Sequence, residues 1–102
     1  MWIFVFFDLP TDTALERKAH TQFRKDVLKQ GFTRFQFSIY TRHCPSRELA
    51  DMHIARVKKT LPELGKVGIL TITDKQFSMM ELFYGKKKQK GAPEGFVQLE
   101  LF

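Results

Sequence analysis

Asp8 is the residue of this sequence whose type and position best suit metal-dependent chemistry. It follows an apolar run at residues 2–7 and precedes Leu9-Pro10, so it lies where a first strand is predicted to end in a turn. Mg²⁺ favours such a position, because it binds one or two carboxylates together with waters and the phosphate oxygens of a substrate. With Mg²⁺ or Mn²⁺ as the cofactor, Asp8 would be the catalytic residue in hydrolysis of a phosphodiester by a metal-activated water. The alternative interpretation is that Asp8 accepts backbone amides in the turn before Pro10.

Other chemical constellations in the sequence are incomplete. His43, Cys44 and His53 do not have the spacing of a structural zinc site, which needs four ligands. A serine or cysteine nucleophile lacks a base and an orienting partner, and a glycine-rich phosphate loop is missing. We therefore expect Cys44 to be a small buried hydrophobic residue, and His20 and His53 to be exposed polar residues on helices.

The first helix is the clearest of the elements that would position Asp8. Thr13 and Glu16 form a capping-box pattern, which predicts the helix start, and Gly31 stands where a left-handed cap would end it. The residues predicted to face the core repeat every four positions: Leu15, Ala19, Phe23 and Val27.

The rest of the chain alternates between strand and helix patterns. Residues 32–43 predict either one bent strand or a tight hairpin, because apolar and polar residues alternate there. A second helix is expected to begin at Pro45-Ser46, to bury Ala50, Ile54, Val57 and Leu61, and to end at Pro62. The remaining predicted elements are a strand at 66–73, a helical turn from Asp74 to Met79 capped by Asp74, and an extended piece at 82–84.

This order predicts an α+β fold of the ferredoxin-like βαββαβ type, an antiparallel sheet with two helices on one face. We assign residues 1–84 to that domain and residues 85–102 to a basic loop and an extra C-terminal strand. Residues 96–102 alternate apolar and polar side chains without a partner strand inside the domain. The extra strand is therefore predicted to dock on the sheet edge of a neighbouring chain.

The first strand carries aromatic residues on the face away from the predicted helices. Trp2, Phe4 and Phe6 share this face with Asp8, and three adjacent aromatic side chains do not make an ordinary solvated surface. The rings would either stack on bases or pack against the same face of a second subunit. In a twofold dimer of that kind, two Asp8 carboxylates would lie near the axis, where a cation would offset their repulsion.

A net charge of +6 favours a polyanionic partner such as nucleic acid. We expect contacts mainly to phosphates, with weak sequence specificity, because no pattern of base-reading residues is evident. The candidate nucleic-acid-binding residues are Arg17, Lys18, Arg24 and Lys25 on the first helix, Arg34 on the following strand, and Lys86, Lys87 and Lys88 in the basic loop.

Cysteine content and hydropathy indicate the compartment. The single cysteine excludes an internal disulfide framework and is typical of a reducing compartment. No apolar run is long enough to span a membrane, and the first residues do not form a signal peptide. We therefore expect a cytoplasmic protein without a membrane partner.

Several motifs occur in order along the chain: Phe6-Phe7-Asp8-Leu9-Pro10, Arg17-Lys18, Phe23-Arg24-Lys25, Gly31-Phe32 and Gln36-Phe37-Ser38-Ile39-Tyr40. This ordered set resembles the CRISPR-associated protein two family, the small subunit of the machinery that captures new spacers. The resemblance covers nearly the whole chain. It implies a ferredoxin-like homodimer that bridges two dimers of the CRISPR integrase and supports a short DNA duplex on its basic surface.

The resemblance also implies magnesium-dependent nuclease activity on RNA or duplex DNA, with Asp8 as the metal ligand. The residue before this aspartate is often tyrosine in the family and is Phe7 here, so a role for that hydroxyl is not carried over. We expect the dimer interface to include Trp2, Phe4, Phe6, Gln36 and Ser38.

Two other functions remain open at this point. One is an RNA-recognition-like module for single-stranded RNA, suggested by Ile3-Phe4-Val5 and requiring accessible rings at Trp2, Phe4 and Phe6. Residues 31–37 fit the second motif of that module poorly, because they lack its second glycine. The other is a ribonuclease that acts alone in the manner of a toxin, through Asp8.

Overall fold

A computed structural model of the chain describes residues 1–88. Its elements, in chain order, are β1 (Trp2–Asp8), α1 (Ala14–Lys29), β2 (Thr33–Gln36), β3 (Ile39–His43), α2 (Arg47–Lys58), β4 (Lys66–Ile72), α3 (Asp74–Ser78), β5 (Phe83–Tyr84) and β6 (Lys87–Lys88). The predicted C-terminal strand at 96–102 lies outside the described residues, as does most of the predicted basic loop.

The main sheet has the strand order β2-β3-β1-β4, and β5 pairs with β6 in a separate two-stranded sheet. In the main sheet, β1 and β2 both pair antiparallel with β3. This order is consistent with the ferredoxin-like fold and confirms the predicted α+β class. The chain divides into two compact units, one of residues Met1–Thr71 and a second that begins at Ile72.

Helix α1 begins and ends as the sequence predicts. The Thr13 hydroxyl accepts a hydrogen bond from the Glu16 amide at 3.1 Å, and the Glu16 carboxylate accepts one from the Thr13 amide at 2.9 Å. Gly31 follows the helix with φ +83°, the left-handed conformation that glycine adopts without steric cost.

The predicted core stripe of α1 is only half right. Phe23 and Val27 are buried, but Leu15 is 78% exposed and Ala19 is also exposed. The reason is geometric, because a strict spacing of four residues turns about 40° further around the helix at each step. Half-buried Glu16 and His20 stand closer to the sheet instead.

The alternating run at 32–43 forms a hairpin rather than one bent strand. Its two-residue turn, Phe37-Ser38, connects β2 to β3, and the pairing shifts between Arg34 and Gln36. Ser38 has φ +62°, an unusual conformation for a residue with a side chain.

Helix α2 begins at the predicted cap, where the Ser46 hydroxyl accepts a hydrogen bond from the Leu49 amide at 3.2 Å. Ala50 and Val57 are buried as predicted, and Ile54 is partly buried. Leu61 is exposed, because the helix ends at Lys58 and the chain turns before that residue.

Helix α3 is capped by Thr73 and not by Asp74 as predicted. The Thr73 hydroxyl accepts a hydrogen bond from the Gln76 amide at 3.1 Å, and the Gln76 side chain accepts one from the Thr73 amide at 2.9 Å. Thr73 therefore supplies a second capping box, and Asp74 falls in the first turn of the helix.

The core of the first unit lies between the sheet and the helices and holds β1 in place. The Phe7 ring is stacked with Tyr40 at 5.7 Å and meets the Phe23 ring edge-on at 5.1 Å. Cys44 is buried, which confirms its predicted role as a small hydrophobic residue. The other buried members are Ile3, Val5, Leu9, Val27, Phe32, Ala50 and Val57.

Candidate metal-binding carboxylate and nucleic-acid interface

Asp8 is the last residue of β1, and its side chain is exposed to solvent. Its neighbours Phe7 and Leu9 are buried, so the alternation of the strand directs the Asp8 carboxylate away from the core. The chain at Gly65, with φ +95°, passes close to this position. A Cβ atom at Gly65 would lie 2.6 Å from Leu9 Cδ2 and 2.8 Å from the Asp8 backbone oxygen, so only glycine fits there.

The turn after Asp8 is stabilised by other residues. The Arg17 guanidinium donates hydrogen bonds to the carbonyl oxygens of Thr11 and Asp12, both at 3.1 Å. Together with the capping box of α1, these bonds fix the loop between β1 and α1. Asp8 therefore lies at the end of β1, beside a turn that is closed by hydrogen bonds.

The donor set around Asp8 suits Mg²⁺ only in part. A single exposed carboxylate is a ligand that Mg²⁺ accepts, with waters and phosphate oxygens completing its shell. Within residues 1–88, however, no group of three or more His, Cys, Asp or Glu side chains could hold a metal ion. In one chain, Asp8 would thus supply a single ligand, and the others would have to come from water, substrate or a second copy.

The aromatic face of β1 differs from the prediction. Trp2 and Phe4 are only 2% and 8% exposed in the single chain, so side chains of the same chain already cover these two rings without bases or a second subunit. Side chains of the neighbouring strands contact them: the Trp2 ring meets His43 edge-on at 5.0 Å, and the Phe4 ring meets Phe35 edge-on at 5.4 Å.

Phe6 is the exposed ring of this face, with 44% of its side chain accessible. It lies over Gly68 of β4, where any Cβ atom would overlap the ring. Gln36 is exposed and Ser38 is half-buried. The dimer interface assigned to Trp2, Phe4, Phe6, Gln36 and Ser38 stays a prediction.

Exposed lysines form a row on α1. The row contains Lys18 and Lys25, which are two of the candidate nucleic-acid-binding residues, together with Lys29. At about 100° per residue, these three side chains fall within about 40° of one another and opposite the buried Phe23 and Val27. We call Lys18, Lys25 and Lys29 the lysine row.

The two predicted arginines of α1 occupy a different side of the helix. Arg17 is exposed but is tied to the loop carbonyls described above. Arg24 is half-buried, and its Nε is buried without a hydrogen-bond partner in the part of the chain that the structure describes. The lysine row is therefore the more accessible cationic surface of α1.

Arg34 is exposed on β2 and lies next to the aromatic ring of Phe37, which was not among the predicted site residues. Its guanidinium carbon is 5.4 Å from the centre of the Phe37 ring, which is 78% exposed in the turn between β2 and β3. The signal that could have identified Phe37 is its type, because turn positions usually hold small or polar residues.

The second unit carries the remaining predicted cations. Lys86 is exposed, while Lys87 and Lys88 form β6. The prediction of a loop is therefore wrong for these two residues, because their backbone pairs with Phe83 and Tyr84 in a hairpin.

His53 is buried rather than exposed as predicted. It is 7% exposed on the inner side of α2, and its Nδ1 has no hydrogen-bond partner among residues 1–88. Burial lowers the pKa of the His53 imidazole, and the positive charges of Arg42 and Arg56 lower it further. His53 is therefore neutral at pH 7. His20 is half-buried and meets the Phe7 ring at 5.7 Å.

Comparison with known proteins decides the family. Residues 1–80 match the family model described as CRISPR associated protein Cas2. The chain belongs to the Cas2 family. This confirms the resemblance that the ordered motifs indicated.

Relatives of the chain carry the printed name "CRISPR-associated endoribonuclease Cas2". The protein of Flavobacterium psychrophilum is 58% identical over 102 residues, which cover 100% of this chain and 88% of the relative. The protein of Parvibaculum lavamentivorans is 48% identical over 102 residues, which cover 100% of this chain and 100% of the relative. The protein of Streptococcus mutans UA159 is 41% identical over 87 residues, or 85% of this chain and 80% of the relative.

Among the described residues, no helix combines the length and the apolar character needed to cross a membrane.

Proposed function

We propose that this chain is a CRISPR adaptation subunit that forms a homodimer, holds spacer-precursor duplex DNA on its basic surface and bridges two integrase dimers. The observation that carries the proposal is the lysine row on the solvent side of α1. Membership of the Cas2 family supplies the CRISPR context.

The dimensions of the lysine row suit a nucleic-acid backbone. Lys18 and Lys29 are eleven positions apart, which corresponds to roughly 16 Å along a helix. That length matches about five steps of a DNA strand at roughly 3.4 Å per nucleotide. Flexible ammonium groups at this spacing can contact phosphates of one strand without reading its bases.

The dimer would bring the two copies of the β1 face together. Phe6 is the exposed aromatic residue of that face. Aromatic residues are enriched at the core of protein interfaces, so we place Phe6 at the centre of the proposed one. An isologous arrangement would also bring the two Asp8 carboxylates towards the twofold axis, since both lie on equivalent strand ends.

The first test measures duplex affinity for a variant of the lysine row. Lys18→Gln/Lys25→Gln/Lys29→Gln should weaken binding and lower the slope of log K against log salt by about 0.9 for each lost phosphate contact. The measurement is fluorescence anisotropy with a labelled duplex over a series of salt concentrations.

The matched control is Lys58→Gln/Lys59→Gln/Lys66→Gln, which removes three exposed lysines from the same unit but not from α1. If the two triple variants lose affinity equally, net charge alone governs binding and the lysine row is not a specific surface. Unchanged affinity of the first variant would refute the proposed role of α1.

A second candidate function is endonuclease activity through Asp8, on RNA or duplex DNA. It is favoured by the exposed carboxylate at the end of β1 and by the name that the relatives carry. When bound, Mg²⁺ or Mn²⁺ would supply positive charge against the phosphate oxygens and would activate water. Asp8 would hold the ion, and the hydrogen-bonded β1–α1 turn would help to keep the carboxylate in place.

The test of this activity uses Asp8→Asn, with Asp12→Asn as the control because Asp12 is an exposed carboxylate in the same turn. Asp8→Asn should abolish cleavage of labelled RNA or duplex DNA in Mg²⁺ or Mn²⁺, while Asp12→Asn keeps it. Cleavage is measured on gels with and without EDTA. The assay contains this chain and no other protein, because a toxin-type ribonuclease would act alone. Cleavage that survives Asp8→Asn points to another site.

The RNA-recognition-like alternative requires three accessible rings on β1. Trp2 and Phe4 are buried in the single chain, which leaves Phe6 as the accessible ring of the three. This burial is unfavourable for base stacking on the β1 face.

A further inference from the structure

We propose that Gly65, the residue before β4, is a positioning residue for Asp8, because the chain at Gly65 passes against the backbone of the strand end that carries the Asp8 carboxylate. The inference rests on the second candidate function, in which Asp8 binds Mg²⁺ or Mn²⁺. It goes beyond that function by assigning a role to a residue that has no side chain to offer the ion.

The close approach at Gly65 involves backbone atoms of β1 and the turn after it. A Cβ atom at this position would lie 2.8 Å from the Asp8 carbonyl oxygen, 3.0 Å from Leu9 Cα and 2.6 Å from Leu9 Cδ2. Real Cβ atoms essentially never come within 3.0 Å of another heavy atom, so a side chain at position 65 must displace its neighbours. The Leu9 side chain could turn to another rotamer, but the planar peptide that joins Asp8 to Leu9 could not.

Both sides of this contact are tied into the sheet. Asp8 is the last residue of β1 and Gly65 directly precedes β4, and these two strands are hydrogen-bonded neighbours. Leu9 is buried in the core, which holds the chain on the far side of Asp8. An alanine at position 65 would therefore either shift the end of β1 or disturb its pairing with β4, and each change moves Asp8.

A displacement of this kind affects a metal ligand more than a solvated carboxylate. Mg²⁺ demands near-octahedral geometry with oxygen distances of about 2.0–2.1 Å. Functional groups must be held within roughly 0.5 Å of their productive geometry. In the proposed twofold dimer, both Asp8 carboxylates would shift together, because the same substitution is present in each copy.

The test measures the Kd for Mn²⁺ in the absence of nucleic acid, by electron paramagnetic resonance of the free ion, and records the Tm of each variant. Gly65→Ala should raise the Kd by about 10- to 100-fold, the effect typical of residues that orient a metal ligand. Asp8→Asn should raise the Kd at least as much, because it removes the ligand itself.

Gly31→Ala is the matched control. Gly31 also has a left-handed backbone, with φ +83°, and belongs to the same compact unit. A Cβ atom there would meet the guanidinium of Arg42, which is the end of a flexible side chain, near the start of β1 where Arg42 pairs with Ile3. Gly31→Ala should therefore lower the Tm and leave the Kd for Mn²⁺ unchanged. An equal rise in Kd for Gly31→Ala and Gly65→Ala would overturn the proposal, because loss of stability alone would then explain the result.

Leu9→Val/Gly65→Ala separates the two neighbours of Gly65. Valine has no Cδ2 atom, so the double variant loses the clash with the Leu9 side chain and keeps the clash with the Asp8 carbonyl. It should recover part of the Tm that Gly65→Ala loses but none of the Mn²⁺ affinity, whereas Leu9→Val alone should keep the Kd of the original chain. Recovery of both quantities would overturn the proposal. Failure of both alanine variants to fold would also overturn it, since glycine would then be required for the fold itself.

The original chain and Asp8→Asn distinguish this proposal from the function on which it rests. If these two proteins bind Mn²⁺ equally, Asp8 is not a metal ligand, and the endonuclease function and the positioning role both fail. If Asp8→Asn loses affinity and Gly65→Ala retains it, the endonuclease function stands and the positioning role alone is overturned.

Discussion

At the level of the residue, the exposure of Asp8 follows from its neighbours in the chain. Phe7 and Leu9 both pack into the core, and a strand must then turn Asp8 outward. The apolar run and the turn at Leu9-Pro10 are visible in the sequence, so the exposed position of Asp8 at the end of a strand could be predicted. Phe37 could not be selected in the same way, because its exposure depends on whether residues 32–43 form one strand or a hairpin.

His53 shows the opposite failure of sequence reasoning. Histidine is intermediate in burial among the residue types, and His53 is buried because it lies on the same face of α2 as Ala50 and Val57. The spacing of three and four residues between these positions is the signal that would have placed it inward.

The burial of His53 predicts a pH dependence of stability. The folded-state pKa lies below the ordinary value of 6.5, so the unfolded chain binds more protons as pH falls through that value. The free energy of unfolding is therefore expected to include the full contribution of neutral His53 above pH 6.5. This contribution should decrease as pH falls towards the folded-state pKa. The measurement is the Tm of the original chain and of His53→Gln at a series of pH values from 7.5 downwards.

His53→Gln should flatten this decrease, because glutamine does not titrate. His20→Gln serves as the control, since it removes a half-buried histidine from α1. If His53→Gln and the original chain lose Tm in parallel, other groups control the pH dependence.

At the level of the element, local signals predict helix ends better than helix faces. The capping box at Thr13 and Glu16 and the glycine at Gly31 depend only on adjacent residues, and the structure confirms both ends of α1. The face of the same helix depends on its rotation over the sheet. A repeat of four residues drifts around the helix, so Leu15 falls outside the core that contains Val27.

The rotation of α1 over the sheet also determines which of its cationic side chains are accessible. Burial of Phe23 and Val27 directs Lys18, Lys25 and Lys29 towards solvent on the opposite side, whereas Arg17 bonds to the loop before the helix. The sequence predicts a basic helix from its composition. The separation into an accessible row and a loop-bound arginine requires the three-dimensional structure.

At the level of the whole molecule, the order of elements predicts the topology. Two helices that alternate with strands in the order β-α-β-β-α-β can lie on one face of an antiparallel sheet, and the observed order β2-β3-β1-β4 agrees with this arrangement. The prediction for the β1 face was less accurate, because it considered one strand alone. Side chains of β2 and β3, including Phe35 and His43, contact Phe4 and Trp2 in the single chain.

The adaptation function is tested most directly by spacer integration in a reaction reconstituted with the CRISPR integrase and a labelled duplex. We expect Asp8→Asn to support integration as well as the original chain, because the proposed role is to hold DNA. Lys18→Gln/Lys25→Gln/Lys29→Gln should abolish integration, while the control triple at Lys58, Lys59 and Lys66 retains it. Loss of integration in Asp8→Asn, together with full activity of the lysine-row variant, would contradict the account.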